Sequence, residues 1–155
     1  MAGRLGLVLA FATLLSGTAQ AEPTDGVSAV TARAIAAGLT KPVDGTAVAS
    51  LVANPTTKVL AAKRFRSGVP EVHDTEADVL VGSTGVAVIT VGGTVDGAKE
   101  VSPGEWRGGT IVGGRKIRFA PGDVVYIPAR VPHLMEIAPR GHVAYLAIKV
   151  PAARP

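Results

Sequence analysis

PGDVVYIPARVPH, at residues 121–133, is the segment that constrains the local structure of this chain most strongly. It opens with Pro121-Gly122-Asp123, a combination typical of a tight turn. The apolar run VVYI that follows predicts a strand. Pro128 and Pro132 then stiffen the next turn, and this restricts the direction in which His133 can point.

The strand that begins at His133 indicates which way this histidine faces. Met135 and Ile137 lie two and four residues further on, so the three side chains share one face of an extended chain. Because Met and Ile belong in the core, His133 is predicted to face the core as well. A partly buried histidine needs a partner for each ring nitrogen, either a metal ion, a carboxylate or a backbone carbonyl.

A second segment, EVHDTEAD at residues 71–78, brings a histidine among carboxylates. Glu71 and His73 point the same way in an extended chain, and Asp78 begins the next strand, from which it can face back toward them. With His133 these side chains would form a metal site inside a barrel. The alternative pairs His73 with a nearby carboxylate at the surface or mouth, and leaves His133 to the barrel backbone. The carboxylates available for that pair are Asp74, Glu76 and Asp78.

Most of the chain after residue 46 alternates short runs rich in Val, Ile and Thr with clusters of Gly, Pro, Asn and Asp. Regular short strands with turn residues between them indicate a sandwich or barrel. An alanine-rich stretch from Val27 to Leu39 predicts a helix ahead of them, joined by a linker over 40–46. The strands are predicted at 47–53, 57–66, 78–82, 85–91, 110–112, 115–119, 124–127, 133–138 and 142–150.

Two glycine pairs and one irregular segment complete this prediction. Gly92-Gly93 and Gly113-Gly114 are predicted hairpin turns, where positive φ is often needed. Asp96 to Thr110 is predicted to be a long loop at one mouth of the barrel. Its Glu105-Trp106-Arg107 stretch is expected either to close over a ligand or to place Trp106 as a cap or in a subunit contact.

The N-terminus has the three parts of a secretory signal. Arg4 precedes an apolar run from Leu5 to Leu15, and Ala19-Gln20-Ala21 has the small residues that a signal peptidase needs. We therefore expect residues 1–21 to be removed before Glu22 and the protein to be periplasmic or secreted; the alternative is a cytoplasmic N-terminal helix. The expected mature chain has a helix and linker over 22–46 and one β-barrel domain over 47–155.

Composition excludes several classes of function. The chain has no cysteine, so it has neither disulfides nor thiol chemistry. Its net charge is +4, but the basic residues are scattered and there is one tryptophan, which argues against nucleic-acid binding. After signal cleavage no segment is apolar and long enough to predict a membrane span.

The two segments resemble the two sequence motifs of the cupin superfamily. Gly122, Pro128 and His133 have the spacing of its second motif, with Arg130 in place of that motif's second glycine. In the first motif, His73 has the place of the second histidine, and the pair Asp78 and Gly85 keeps the spacing from glutamate to glycine. The resemblance covers residues 57–150. It implies an all-β fold, a double-stranded β-helix (jelly-roll) barrel, here with an N-terminal α-helix.

Within that superfamily the chain is similar to small exported bacterial single-domain cupins. Those proteins carry a Gly-Gly-Thr and a Pro-Gly-Glu-x-Arg-Gly stretch, here Gly92 to Thr94 and Pro103 to Gly108. The resemblance further implies that two copies pair as a homodimer.

The usual cupin site has three histidines and one glutamate, so the resemblance also implies a ligand set. Carried over residue by residue, it gives His73, Asp78 and His133 as metal ligands, with Glu71 at the first histidine position as a fourth ligand or a general base. Two imidazoles and a carboxylate suit Fe, Mn, Zn or Ni. Tyr126 is a further catalytic candidate if its hydroxyl donates into the cavity; otherwise it packs at the rim.

Two functions fit these features. The first is a metal-dependent enzyme that acts on a small organic molecule inside the barrel, and the second is a non-catalytic periplasmic module that binds a small ligand or a metal there. Arg64 and Arg66 share a strand face, where they would either clamp an anionic substrate or lie in solvent. His142 is expected at the surface.

Overall fold

The structure, a computed structural model, describes residues 27–152. The predicted signal segment and its cleavage point lie outside the described residues. Within them, one helix is followed by thirteen strands. Their bounds are α1 Ala32–Gly38, β1 Thr46–Asn54, β2 Thr57–Arg64, β3 Glu71–His73, β4 Glu76–Gly85, β5 Ala87–Val91, β6 Thr94–Asp96, β7 Lys99–Ser102, β8 Glu105–Arg107, β9 Thr110–Val112, β10 Arg115–Phe119, β11 Val124–Ile127, β12 His133–Glu136 and β13 Val143–Pro151.

The strands form two large antiparallel sheets. One sheet has the order β1-β2-β13-β4-β11, and the other has the order β10-β5-β12-β3-β8-β7. A small ladder of β6 and β9 extends beyond them. Strands that are neighbours in space are often far apart in the chain, as when β13 lies between β2 and β4. The predicted jelly-roll barrel with a helix near its N-terminus is confirmed.

The helix α1 begins later than predicted because its cap lies within the predicted helix. The hydroxyl of Thr31 accepts a hydrogen bond from the backbone of Ala34 at 3.2 Å, which fixes the start of the helix. Its last residue, Gly38, lies so close to Ala49 that an added Cβ would be 2.6 Å from the Ala49 Cβ. Across residues 27–152 no helix has both the length and the apolar character needed to cross a bilayer.

The predicted mouth loop from Asp96 to Thr110 is wrong, because this segment is largely strand. It begins at the last residue of β6, holds all of β7 and β8, and ends at the first residue of β9. Gly104, Gly108 and Gly109 adopt positive φ there, which lets strands of three or four residues follow one another through tight turns. Strand β8 then pairs with β3 and so becomes part of the barrel wall.

The two glycine pairs have the predicted positive φ, but they are not hairpin turns. Gly92-Gly93 joins β5 to β6, and Gly113-Gly114 joins β9 to β10. Because β5 pairs with β10 and β6 pairs with β9, each glycine pair is a bend between two consecutive ladders and not a turn between paired strands. The two bends face each other closely, since a Cβ on Gly93 would lie 2.3 Å from the Val112 carbonyl oxygen.

The space between the sheets is filled by apolar side chains. Phe119, Ile89 and Val143 are the largest of those that are almost fully buried. Tyr145 meets Phe119 edge to face, with ring centroids 6.2 Å apart. Leu80, Ile89 and Met135 belong both to this core and to the wall of a cavity, so the core forms the apolar floor of the candidate site.

Candidate metal centre and ligand cavity

A cavity of about 310 Å³ opens between the two sheets. Its floor is apolar, and its polar groups are Arg64, Glu71, Asp78, Arg107, His133, Tyr145 and Lys149. An apolar pocket with a few convergent polar groups is the usual form of a small-molecule site.

Strand pairing brings these polar residues together. Residues directly opposite each other on antiparallel strands have neighbouring side chains. Glu71 is opposite both His133 and Arg107. On the other sheet Asp78 is opposite Lys149. The site is therefore built from cross-strand neighbours contributed by strands that are distant in the sequence.

The structure brings His73, Asp78 and His133 to one point. The Asp78 Oδ2 atom lies 3.4 Å from the Nε2 atoms of both histidines. The two imidazole rings have centroids 5.2 Å apart and are tilted by 50°. Glu71 joins the group, with Oε2 3.7 Å from the Nε2 atom of His73. All three sequence-predicted ligands and the candidate fourth residue thus lie close together, and Glu71, Asp78 and His133 also line the cavity.

The far nitrogen of each imidazole is held by an oxygen acceptor. His73 Nδ1 lies 2.7 Å from Glu105 Oε2, and His133 Nδ1 lies 3.2 Å from the Val131 carbonyl oxygen. When each Nδ1 carries an N–H, Nε2 presents its lone pair to the site, which is the arrangement that metal-binding histidines adopt. When Nε2 carries a proton instead, it donates to Asp78 Oδ2. The alternative is correct in part, since His73 does pair with Asp78 and His133 does meet a backbone carbonyl. His73 is only 3% exposed, so its ion pair is buried and not at the surface.

Lys149 is the residue that sequence reasoning missed. Its Nζ atom lies 2.6 Å from His73 Nε2 and 2.6 Å from Asp78 Oδ1. The signal was present in the alternation of β13, where Val143, Tyr145 and Ala147 are buried and Lys149 is next on the same face. Glu105 was missed as a partner of His73 because its segment was assigned to a loop.

Glu71 is fixed by two arginines at the cavity mouth. Its Oε1 atom lies 2.5 Å from Arg107 Nη1 and 3.6 Å from Arg64 Nη2. Arg64 also donates from Nε to the hydroxyl of Tyr145 at 2.9 Å. Arg66 is exposed and does not line the cavity, so of the two alternatives a clamp formed by both arginines is excluded.

The titration of the buried groups reflects their surroundings. Burial raises the pKa of Asp78, but its polar contacts with His133 and His73 and the charge of Lys149 outweigh this and hold the pKa well below its usual range. Burial lowers the pKa of His73, whereas Asp78 and Glu105 raise it above its ordinary value against the charge of Lys149. Because Lys149 Nζ and His73 Nε2 are in contact, a single proton lies between the two nitrogens.

Tyr126 is not part of this cluster, contrary to its prediction as a catalytic candidate. Its neighbour Ile127 is buried, so the alternation of β11 turns the Tyr126 side chain outward, where it is 62% exposed. It lines a separate groove of about 560 Å³. Trp106 donates to Asp74 at 3.1 Å, and His142 is exposed as expected.

Tyr145 supplies a prediction on pH dependence. Burial raises the pKa of its hydroxyl above the ordinary value of 10.0, and the lowering by Arg64 does not offset this. A Tyr126→Phe variant, which keeps Tyr145 as the sole tyrosine, is expected to develop tyrosinate absorbance with a midpoint above pH 10. Since the pKa is raised on folding, the stability from the neutral hydroxyl is complete below pH 10 and is lost as the pH rises further. Titration of the folded variant at or below pH 10 would contradict this assignment.

The donor set suits a divalent ion. Glu71, His73 and His133 each offer a ligand atom, and these atoms lie within 4.8 Å of one another. Beside them Asp78 Oδ1 is buried and accepts no well-directed hydrogen bond, although the Lys149 ammonium is close. A buried carboxylate oxygen in that condition is suited to a cation. This group of residues could therefore hold a metal ion.

Solved structures share this architecture. KdgF from a Halomonas species superposes with a TM-score of 0.52 at 15% identity, over 74% of this chain and 88% of that one. Pac13 from Streptomyces, in a structure with uridine, superposes with a TM-score of 0.51 at 9% identity, over 74% and 76%. A cupin superfamily protein from Desulfitobacterium hafniense gives 0.50 at 18% identity, over 72% and 83%.

The sequence itself matches no protein-family model and no curated protein. The resemblance carried by the two histidine segments and the likeness of the whole barrel nevertheless agree on the architecture. The chain has the double-stranded β-helix fold of the cupin superfamily.

Proposed function

We propose that this protein binds a small organic molecule in its barrel cavity and acts on it beside a divalent metal ion. The observation that carries the proposal is the convergence of two buried imidazole Nε2 atoms with carboxylates beside a cavity that Glu71, Asp78 and His133 line. Buried titratable groups with specific charge partners beside a cavity mark a candidate functional site.

The ion would be held by His73 and His133 through Nε2 and by a carboxylate of Glu71 or Asp78. Two neutral nitrogens and a carboxylate suit Fe, Mn, Zn or Ni. Once bound, such an ion polarises a substrate oxygen or lowers the pKa of a bound water. Glu105 and the Val131 carbonyl keep both rings oriented. Glu71 is the group placed to move a proton if Asp78 is the ligand.

The cavity favours a ligand of modest size with a polar or anionic group. Its volume of about 310 Å³ is at the lower end of the range for small-molecule sites. Leu80, Ile89 and Met135 would contact the apolar part of the ligand, and Arg64 and Arg107 lie at its polar side. A sugar, a small acid or a phenolic compound meets these requirements. Uridine is bound in the structure of Pac13, a nucleoside dehydratase with a barrel of this fold.

Replacing His133 by alanine is expected to abolish stoichiometric metal binding. The change removes one of the two imidazole donors, and the ligands that remain are too few to hold an ion. Purified protein is loaded with Fe, Mn, Ni or Zn in turn, desalted and analysed for metal content. The matched control is His142→Ala, which removes an exposed histidine outside the candidate metal-binding group and should leave the metal content unchanged. Equal metal content in the wild type and His133→Ala would contradict the proposed site. Wild-type protein that retains none of the metals would contradict it as well.

The organic ligand is best sought in the purified protein itself. Mass spectrometry of molecules released on denaturation, compared between wild type and a Met135→Trp variant that fills the cavity, identifies what the cavity retains. A molecule that is bound by the wild type and converted by the loaded protein supports an enzyme. A molecule that is retained unchanged under all metal loadings identifies a binding module and overturns the enzymatic part of the proposal.

We also propose that the protein is exported, on the basis of the signal pattern over residues 1–21. Expression of the full chain followed by separation of cell fractions tests this. Mature protein beginning at Glu22 in the periplasm or medium supports export, and full-length protein in the cytoplasm contradicts it.

A further inference from the structure

We infer that Lys149 is the resident cation of this site and that a metal ion enters only by displacing it. The inference rests on the proposed metal function and goes further, because it concerns a residue outside the proposed ligand set. On this inference, Lys149 sets the affinity of the site for the metal ion, and so the metal concentration at which the site is filled.

The contacts of Lys149 are those that a bound ion would make. Its Nζ atom lies 2.6 Å from His73 Nε2, a proposed ligand atom, and 2.6 Å from Asp78 Oδ1. The other oxygen of that carboxylate, Oδ2, lies 3.4 Å from both imidazole Nε2 atoms. An ammonium has only donors, so it occupies the lone pair of His73 Nε2 that a metal would use. The two cations therefore compete for the same nitrogen and the same carboxylate.

The local charges favour the same conclusion. Three carboxylates contact His73, namely Glu71, Asp78 and Glu105. Three permanent cations pair with them: Lys149 with Asp78, and Arg64 and Arg107 with Glu71. The cluster is thus balanced before any ion arrives. Adding a divalent ion while Lys149 stays in place would leave an excess of two positive charges in a poorly solvated cavity, which is strongly unfavourable.

The backbone keeps Lys149 near the site, but its side chain can leave. Strand β13 lies between β2 and β4, so the Lys149 Cα is fixed by ladders on both sides. The side chain lines the cavity and is 13% exposed. Its four-carbon stem has room to swing the ammonium into the cavity toward solvent when an ion replaces it.

The test is the affinity of the metal-free full-length protein for Zn²⁺ and Mn²⁺, measured by competition with a chelator. Lys149→Met keeps the apolar stem and removes the charge, and Lys149→Gln keeps a donor to Asp78 as a second variant if the first folds poorly. Both are expected to bind the metal at least about tenfold more tightly than the wild type, because no cation has to be displaced. Adding His133→Ala to Lys149→Met should abolish this binding, which shows that the gain arises at the histidines.

Lys58→Met is the matched control, because Lys58 is directly opposite Lys149 on β2 but pairs with Glu76 and is 51% exposed. It should leave the affinity unchanged. Wild-type affinity in both Lys149 variants, with loss of binding in His133→Ala, would overturn the role of Lys149 and leave the metal function standing. An equal gain in Lys58→Met would also overturn it, since the effect would then be one of net charge. Absence of metal binding in the wild type and in every variant would overturn both the proposed metal function and the proposed displacement of Lys149.

Discussion

Replacing Asp78 by asparagine is expected to lower the free energy of unfolding by about 3–5 kcal/mol, the usual cost of removing one partner of a buried ion pair. Asp78 is 4% exposed, and its two oxygens contact Lys149 and both imidazoles. Asparagine keeps the volume of the side chain but leaves Lys149 without a counter-ion. The loss should appear in the absence of any metal, because it arises from the charges of the chain itself.

Urea unfolding of Asp78→Asn, Lys149→Met and the double variant measures this loss. The double variant should be more stable than Asp78→Asn alone, because the unpaired ammonium is gone. The control is Glu76→Gln, which breaks the ion pair between Glu76 and the largely exposed Lys58 and should cost no more than about 1 kcal/mol. If Asp78→Asn is no less stable than Glu76→Gln, the buried pair does not have the energetic weight assigned to it.

The positions of the two histidines were accessible from the sequence because local signals fix them. Pro128 and Pro132 set the turn before His133, and the apolar Met135 two residues later indicates its inward face. The strand bounds were also close to those observed, as for β1 at 46–54 against a predicted 47–53. Turn chemistry and period-two alternation act over a few residues, so a single sequence records them well.

The partners of the histidines were not accessible in the same way. Lys149 and Glu105 reach the site only because β13 pairs with β4 and β8 pairs with β3. Such pairings join segments 71 and 32 residues apart, as the positions of Asp78 with Lys149 and His73 with Glu105 show. Register between distant strands depends on how the whole barrel closes, which no local pattern specifies.

Tyr126 shows that a functional assignment on a strand depends on which face of the sheet the side chain points to. Its strand was predicted within the observed bounds, 124–127, but the inward residue is Ile127. Successive side chains of a strand point to opposite faces, so the burial of Ile127 places Tyr126 outside. In a run as uniformly apolar as VVYI, composition does not distinguish the two faces.

Replacing Gly85 by alanine is expected to destabilise the protein by about 2–5 kcal/mol, the sum of a left-handed backbone penalty and a steric clash. Gly85 ends β4 with φ of +72°, a conformation that is unfavourable for any residue with a Cβ. An alanine Cβ would also lie 2.0 Å from the carbonyl oxygen of His142. That oxygen belongs to the backbone that leads into β13, so it cannot move aside without shifting the central strand that carries Lys149.

Gly92→Ala is the matched control, because it separates the two contributions. Gly92 has a similar φ of +81°, but an added Cβ meets nothing within 4 Å. It should lose only the backbone part, about 1–2 kcal/mol. Thermal and urea unfolding of both variants measures the difference, which reports the clash at His142 alone. Equal stability of the two variants would mean that the His142 carbonyl and the start of β13 adjust freely, and the clash would then have no energetic weight.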